Sequence, residues 1–157
     1  MKNYLCYLFL FLGTQNFYAQ NMKNYCNSRF DFCVSVPSNF KNLGESENGD
    51  GQSFQSHDGN AKIITFGNLE IEGINDLESL YKQYLKSKKI TYKFRKGNYF
   101  ILSGIEKNGN IFYLKTIKKR INYFGEKADV VQNLMISYPK SQNSKYSSYC
   151  KVISKSL

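Results

Sequence analysis

The sequence predicts an α+β fold in which an antiparallel β-sheet of about six to seven strands is covered by two helices. Short segments that alternate apolar and polar residues recur from residue 29 to residue 138. Turn signals separate several of them, most clearly Lys107-Asn108-Gly109-Asn110, and such turns favour antiparallel neighbours. Two other segments repeat apolar residues at helical spacing.

The first predicted strand, residues 29–36, alternates strictly and places Phe30, Phe32, Val34 and Val36 on one face. Pro37 ends it, and residues 39–51 are expected to form a polar, glycine-containing loop. The remaining predicted strands cover residues 52–56, 61–66, 90–95, 99–105, 111–119 and 129–138.

Two helices are predicted, over residues 77–88 and 144–156. Asn75 or Asp76 is a suitable cap for the first, which has one apolar stripe along its length. The stripe of the first helix consists of Leu77, Leu80, Tyr81, Tyr84 and Leu85, and that of the second of Tyr146, Tyr149, Cys150 and Ile153. Strands that follow one another as a meander exclude a parallel, dinucleotide-binding type of sheet.

The N-terminal segment has the pattern of a cleavable secretory signal peptide, assigned to residues 1–19. Lys2 precedes the apolar run from Tyr4 to Leu12, and Ala19 is a suitable small residue at the cleavage site. That run is too short to cross a bilayer, which needs roughly 20 apolar residues. We therefore expect a single secreted or periplasmic domain over residues 20–157, with no transmembrane segment in the mature chain.

The chain carries a formal net charge of +10. Such a balance attracts acidic proteins, anionic envelope surfaces or nucleic acid, and export argues against nucleic acid. Basic residues alternate with aromatic ones on two predicted strands, and in the first of them Tyr92 and Phe94 lie on one face and Lys93 and Arg95 on the other. The basic face is either the solvated back of a core face or a docking surface for an acidic partner. The candidate partner-binding residues are Lys93, Arg95, Lys115, Lys118, Lys119 and Arg120.

Three cysteines remain after the predicted cleavage: Cys26, Cys33 and Cys150. An oxidising compartment permits one intramolecular disulfide among them. We expect Cys26 to pair with Cys150 and so join the two ends of the domain, while Cys33 is a small buried apolar residue within its strand. Pairing of Cys33 with Cys150 is the alternative.

No catalytic or cofactor signature is present. The single histidine, His57, stands beside Asp58 in a turn, and no nucleophile elbow or phosphate-binding glycine motif accompanies it. The acidic residues Glu45, Glu47, Asp50 and Asp58 lack the regular spacing of a calcium loop. No C-x-x-C pair suggests zinc, so no cofactor and no metal are expected.

Several segments resemble small exported bacterial proteins of the PsbP-like fold. The most distinctive is Glu47-Asn48-Gly49-Asp50-Gly51-Gln52-Ser53-Phe54, and the others are Tyr25 to Phe32 closing on Val36-Pro37, Tyr99 to Gly104, and Ile111 to Lys115. The fold is named after the extrinsic protein of the photosystem II oxygen-evolving complex and is shared with a Ran-binding import factor. The resemblance implies a non-enzymatic scaffold that binds a partner.

Two hypotheses follow. The first is an exported, non-enzymatic binding or accessory domain that docks a protein partner, for example as an immunity or secretion-accessory protein. The second is an envelope hydrolase or small-ligand-binding enzyme that uses His57. A pocket around His57 would favour the second, and a toxin gene beside this gene would favour the first.

Overall fold

The computed structural model describes residues 21–157, so the predicted signal peptide lies outside the described residues. The fold class is confirmed: a seven-stranded antiparallel sheet and a two-stranded sheet are combined with two helices. The strands are β1 (Met22–Asn27), β2 (Phe32–Pro37), β3 (Phe40–Glu45), β4 (Gly51–Ser56), β5 (Lys62–Leu69), β6 (Lys89–Lys96), β7 (Tyr99–Ile105), β8 (Asn110–Tyr123) and β9 (Glu126–Pro139). The helices are α1 (Leu77–Ser87) and α2 (Asn143–Ile153), and a 3-10 turn (Lys140–Gln142) precedes α2.

The large sheet has the order β3-β4-β5-β9-β8-β7-β6, so β3 and β6 form its two edges. Hairpins connect β3 to β4, β4 to β5, β6 to β7, β7 to β8 and β8 to β9. Helix α1 lies in the connection between β5 and β6, which stand well apart in the sheet. The separate β1–β2 hairpin precedes the large sheet in the chain.

Helix α1 covers one face of the sheet near the β6 edge. Asp76 caps it, since its carboxylate accepts the N–H groups of Glu78 and Ser79 at 2.9 and 3.0 Å. The apolar stripe then meets β7 and β8, where Tyr81 packs edge-on against the fully buried Phe100. Burying a side chain of this size stabilises the fold by about 1.5–3 kcal/mol.

Helix α2 and the β1–β2 hairpin cover the opposite face, over the β3 half of the sheet and its centre. Tyr146 and Ile153 of α2 are almost fully buried, and Tyr146 contacts Phe40 of β3 and Tyr138 of β9. Because Gly67 of β5 has no side chain, the Phe30 ring from the turn of the hairpin can pack directly against it. The two faces are therefore covered over different halves of the sheet.

The N-terminal region differs from the prediction of one strand over residues 29–36. Residues 28–31 form a turn, with Asp31 in the left-handed region at φ 48° and the Phe30 N–H held by the Asn27 side chain at 2.9 Å. The strand therefore starts at Phe32, and Met22–Asn27 is its antiparallel partner. The apolar face was predicted correctly, because Phe30, Phe32, Val34 and Val36 are all buried.

The predicted disulfide between Cys26 and Cys150 is wrong. Cys26 lies directly opposite Cys33 in the β1–β2 ladder, with their Cα atoms 4.1 Å apart, and these two residues form the disulfide. Cys33 is exposed, not buried, because it lies on the outer side of the hairpin. Cys150 is a free, buried thiol on α2. The prediction failed because it placed Cys26 before the first strand, with no neighbour across from it.

Residues 39–51, predicted to be a loop, contain strand β3. Only Phe40 of this strand is buried, so β3 lacks the alternating pattern that identifies a half-buried strand. A bulge between Asn42 and Glu45, with Gly44 at φ 98°, interrupts its pairing with β4. Strands β8 and β9 are longer than predicted, with 14 residues each. The two strands are joined by an exposed turn around Phe124.

Among residues 21–157, neither helix has the length and apolar character required to cross a bilayer.

Candidate binding surface

The six basic residues singled out from the sequence do not share one surface. Four of them lie on the face that carries α1. Lys93 and Arg95 lie there because they are opposite Leu102 and Phe100, which pack under α1. Lys118 and Arg120 lie there because residues alternate between the two faces along β8. Lys115 and Lys119 lie on the opposite face. The structure therefore separates the charges that the sequence grouped together.

Most of these charges are engaged within the chain. Arg95 pairs with Glu78 of α1, Lys119 with Asp31 at 3.2 Å, and Arg120 with Asp129 at 3.8 Å. In contrast, Lys93 forms no ion pair within the described part of the chain.

Lys118 and Lys115 are held most firmly. Lys118 contacts Glu70 and also lies 3.3 Å from Asp129, and its hydrogen bond to Glu70 raises the pKa of the ammonium group. Lys115 donates to the carbonyl of Ser154 at 2.8 Å and to the main-chain oxygen of Leu157, and partial burial lowers its pKa. These two lysines have structural contacts that a partner would have to displace.

An uncovered part of the sheet lies on the α2 side near the β6 edge, because α2 covers only the β3 half and the centre. We call it the open half-face and define it by Tyr92, Phe94, Tyr99, Ile101 and Tyr113. Tyr92 is 53% exposed and Phe94 39%, although both occupy a β-strand of the main sheet. Exposed, adjacent aromatic side chains on a rigid sheet are typical of interaction surfaces.

A cavity of about 400 Å³ lies where the open half-face meets α2. The sheet contributes Tyr92, Ile101 and Tyr113 to its wall, and α2 contributes Ser147 and Lys151. The wall is therefore mostly apolar, with a cationic side chain and a hydroxyl on the helical side.

Cys150 also lines this cavity, but as an inert group. Its Sγ lies 3.8 Å from the Tyr138 hydroxyl and 3.5 Å from the Tyr146 carbonyl. Burial raises the pKa of the thiol to about 11, so the group stays protonated at neutral pH. A protonated, buried thiol is a poor nucleophile and a poor metal ligand.

The surroundings of the cavity are positive. Lys151 of α2 lines the cavity, whereas Lys96 lies at the far end of β6 on the same face as Tyr92, and neither forms an ion pair within residues 21–157. Lys115 lies over the Tyr99 ring at 5.6 Å. None of the chain's 12 acidic residues occurs on β6, β7, β8 or α2. The open half-face therefore combines aromatic surface with uncompensated positive charge.

His57 is exposed in the turn between β4 and β5, and it lines none of the cavities described. Its neighbour Asp58 turns towards α2, where Lys145 lies 3.0 Å from the carboxylate. The Ser56 hydroxyl, followed by the Asn60 N–H and Lys145, holds the pKa of Asp58 well below its usual range. Asp58 thus links this turn to α2.

The acidic loop around Glu45 and Asp50 is held by polar contacts within itself and with β1. The Ser46 hydroxyl donates to Asp50 at 2.6 Å, and Glu45 accepts the Tyr25 hydroxyl at 3.1 Å. Across residues 21–157, no three His, Cys, Asp or Glu side chains converge as a metal-binding group.

Several chains of solved structures resemble this backbone. The solution structure of cyanobacterial PsbP (CyanoP) from Synechocystis sp. PCC 6803 matches with a TM-score of 0.51 and 8% identity, covering 87% of this chain and 91% of that one. The chain has the PsbP-like fold. LpqN, described as involved in cell envelope biogenesis of Mycobacterium tuberculosis, matches with a TM-score of 0.48 and 12% identity, covering 87% of this chain and 83% of that one.

No protein-family model matches the sequence, and no curated protein matches it significantly. The PsbP-like fold confirms the resemblance drawn from the sequence segments. At 8% identity the likeness concerns the backbone alone.

Sequence reasoning identified part of this surface and missed the rest. It placed Tyr92 and Phe94 on one face of a strand and Lys93 and Arg95 on the other, which is correct. It missed Lys151, because no sequence signal places a helix residue beside a particular strand. The sequence does show that no acidic residue occurs between Asp129 and the last residue, so the helix that contains Lys151 has no negatively charged side chain.

Proposed function

We propose that this chain is an exported binding domain that acts without catalysis and docks an acidic protein partner on the open half-face. The observation that carries the proposal is the pair of exposed aromatic side chains, Tyr92 and Phe94, beside a cavity with cationic neighbours. Aromatic residues supply contact area at a small cost in side-chain entropy, and they dominate the energetics of many interfaces.

Charge supports an acidic partner. Within residues 21–157, Lys96 and Lys151 form no ion pair, and no acidic residue occurs on β6, β7, β8 or α2. Complementary charge on a partner would accelerate association and fix its orientation, while the aromatic contacts supply most of the affinity.

Export is supported by the Cys26–Cys33 disulfide and by the signal-like N-terminal sequence. Structural disulfides persist in oxidising compartments and are rare in the cytosol. We therefore place the partner on the outer side of the cytoplasmic membrane, in the periplasm or outside the cell.

Photo-cross-linking in the native host tests the proposal. A benzophenone amino acid at position 92 of the full chain should cross-link to one protein, whereas the same group at Asn122, far along β8, should not. Lys151→Glu should reduce the cross-link at least tenfold because it opposes an acidic partner. Lys127→Glu is the matched control, since Lys127 is also exposed and forms no ion pair within the described residues.

Equal cross-linking from positions 92 and 122, or indifference to Lys151→Glu, would contradict the proposal. Cross-linking to anionic lipid instead of protein would favour docking on an envelope surface. The hydrolase alternative makes a separate prediction, since His57→Ala would abolish the function without changing the cross-link.

A further inference from the structure

The two edge strands of the main sheet, β3 and β6, differ in how far other parts of the chain contact their outer backbone groups. At the β3 edge, the Phe40 carbonyl accepts the Lys23 ammonium group from the hairpin. The Gly44 N–H donates to the Asn42 side chain at 2.7 Å, within the bulge that interrupts this strand. Side-chain contacts and a bulge are ways in which proteins block an exposed edge.

The β6 edge has no such cover. Strand β6 pairs only with β7, so one side of its backbone has no strand partner among the described residues. A bulge between Ile90 and Tyr92 limits the regular part to five residues, Tyr92–Lys96, which pair with β7 without interruption. This regular run is long enough to accept a short added strand.

The hairpin geometry identifies which backbone groups point outward. Lys96 and Tyr99 flank a two-residue turn and therefore exchange hydrogen bonds with each other. Because hydrogen-bonded and non-hydrogen-bonded pairs alternate, Phe94 and Tyr92 also bond to β7. The N–H and C=O groups of Lys93 and Arg95 then face away from the sheet and are free to bond to another chain.

We propose that the β6 edge accepts an extended segment of the partner as an eighth strand, through the outward backbone groups of Lys93 and Arg95. The proposal rests on the proposed function for the existence of a partner and specifies how that partner binds. Side chains of the added strand would alternate between the Tyr92 and Phe94 side and the Lys93 and Arg95 side. The segment that fits therefore alternates apolar and acidic residues.

The charge of β6 also argues against a second copy of this chain as the occupant. Antiparallel pairing of two β6 edges centred on Phe94 would place Lys93 of each copy opposite Arg95 of the other, and like charges across a strand pair are destabilising. Edge lysines thus oppose self-association while favouring an acidic strand.

Two substitutions of Lys93 distinguish the contribution of its backbone N–H to binding from that of its side-chain charge. Lys93→Ala removes the charge and keeps the N–H, whereas Lys93→Pro removes both. Proline is tolerated at edge positions whose N–H faces solvent, so β6 should still pair with β7 in the proline variant. A circular dichroism spectrum and melting temperature matching those of Lys93→Ala would verify this.

The probe is the synthetic peptide acetyl-Asp-Val-Asp-Phe-Asp-Val-Asp-Val-amide, and its binding is followed by amide NMR of the purified mature protein. The peptide should shift the Lys93 and Arg95 amides and protect them from exchange, and a version with Lys in place of Asp should bind at least tenfold more weakly. Lys93→Pro should weaken binding at least tenfold relative to Lys93→Ala.

Equal binding to Lys93→Pro and Lys93→Ala, or no preference for the acidic peptide, would overturn strand addition. The cross-link at position 92 distinguishes this failure from failure of the proposed function. If that cross-link persists in Lys93→Pro as strongly as in Lys93→Ala, the partner docks on the open half-face without joining the sheet. Dimerisation through β6 would also overturn the proposal.

Discussion

At the scale of single residues, the environment of each cysteine decides its chemistry. Cys26 and Cys33 face each other on the exposed side of a hairpin and are oxidised, whereas Cys150 is enclosed beside Tyr138. Burial raises the pKa of the Cys150 thiol to about 11, so its thiolate is scarce at neutral pH. The same residue type thus serves once as a cross-link and once as a packing group.

This difference can be measured by mass mapping and alkylation. Non-reducing digestion should yield a peptide that joins Cys26 to Cys33, and iodoacetamide at pH 8 should modify Cys150 only after unfolding. Replacing both Cys26 and Cys33 by Ser should lower the free energy of unfolding by about 2–3 kcal/mol, as expected for a short disulfide loop. A Cys26–Cys150 peptide, or rapid alkylation of native Cys150, would contradict this assignment.

At the scale of secondary structure, the start of α1 shows how local chemistry fixes an element. The Asp76 carboxylate accepts two backbone N–H groups of the helix, the Gly73 N–H at 2.7 Å and the Ser79 hydroxyl at 2.6 Å. The Ser79 hydroxyl and these N–H groups favour the charged form, so the pKa of Asp76 falls to about 2.

Because the folded-state pKa is depressed, the stabilisation by Asp76 is present above the unfolded pKa near 4 and is lost as pH falls towards 2. Urea unfolding followed by circular dichroism should find the wild type more stable than Asp76→Asn at pH 6, with the difference shrinking steadily from pH 4 to pH 2. Asp76→Ala should be less stable than Asp76→Asn at pH 6, since Asn still caps the helix. A wild-type advantage over Asp76→Asn that is constant from pH 2 to 6 would contradict this mechanism.

Two elements show the limits of reasoning from local pattern. Strands β1 and β3 were missed because they do not alternate buried apolar and exposed polar residues. Each is defined by its pairing with β2 or β4, and that pairing depends on where the chain turns. Helix α1 and strand β7 were predicted well because their own apolar patterns match their burial.

At the scale of the whole molecule, the β1–β2 hairpin closes the core only because the sheet leaves room for it. The Gln132 amide donates to the Phe30 carbonyl at 2.7 Å and anchors the hairpin turn on β9. A Cβ added at Gly67 would overlap the Cβ and Cγ atoms of Phe30. Gly67 is thus required for close approach between two layers that are distant in sequence.

Gly67→Ala should lower the free energy of unfolding by about 1–3 kcal/mol, as overpacking in a close-packed core does. In a Phe30→Gly background the same substitution should cost clearly less, because both overlapping atoms, the Cβ and the Cγ of residue 30, are gone. Asn68→Ala, on the other face of the same strand, is the control and should change stability by no more than about 0.5 kcal/mol. An equal cost of Gly67→Ala in both backgrounds would show that Phe30 is not the obstacle.

The sequence by itself determined the α+β class, most of the strands, both helices and the aromatic and basic alternation of β6. These features depend on the spacing of apolar residues and on local caps and turns, which neighbouring residues decide. The tertiary structure alone decided the Cys26–Cys33 pairing, the neutralisation of Arg95, Lys118, Lys119 and Arg120 by distant carboxylates, and the exposure of Tyr92 beside Lys151. These depend on which elements lie next to each other in space, and local spacing carries no record of that.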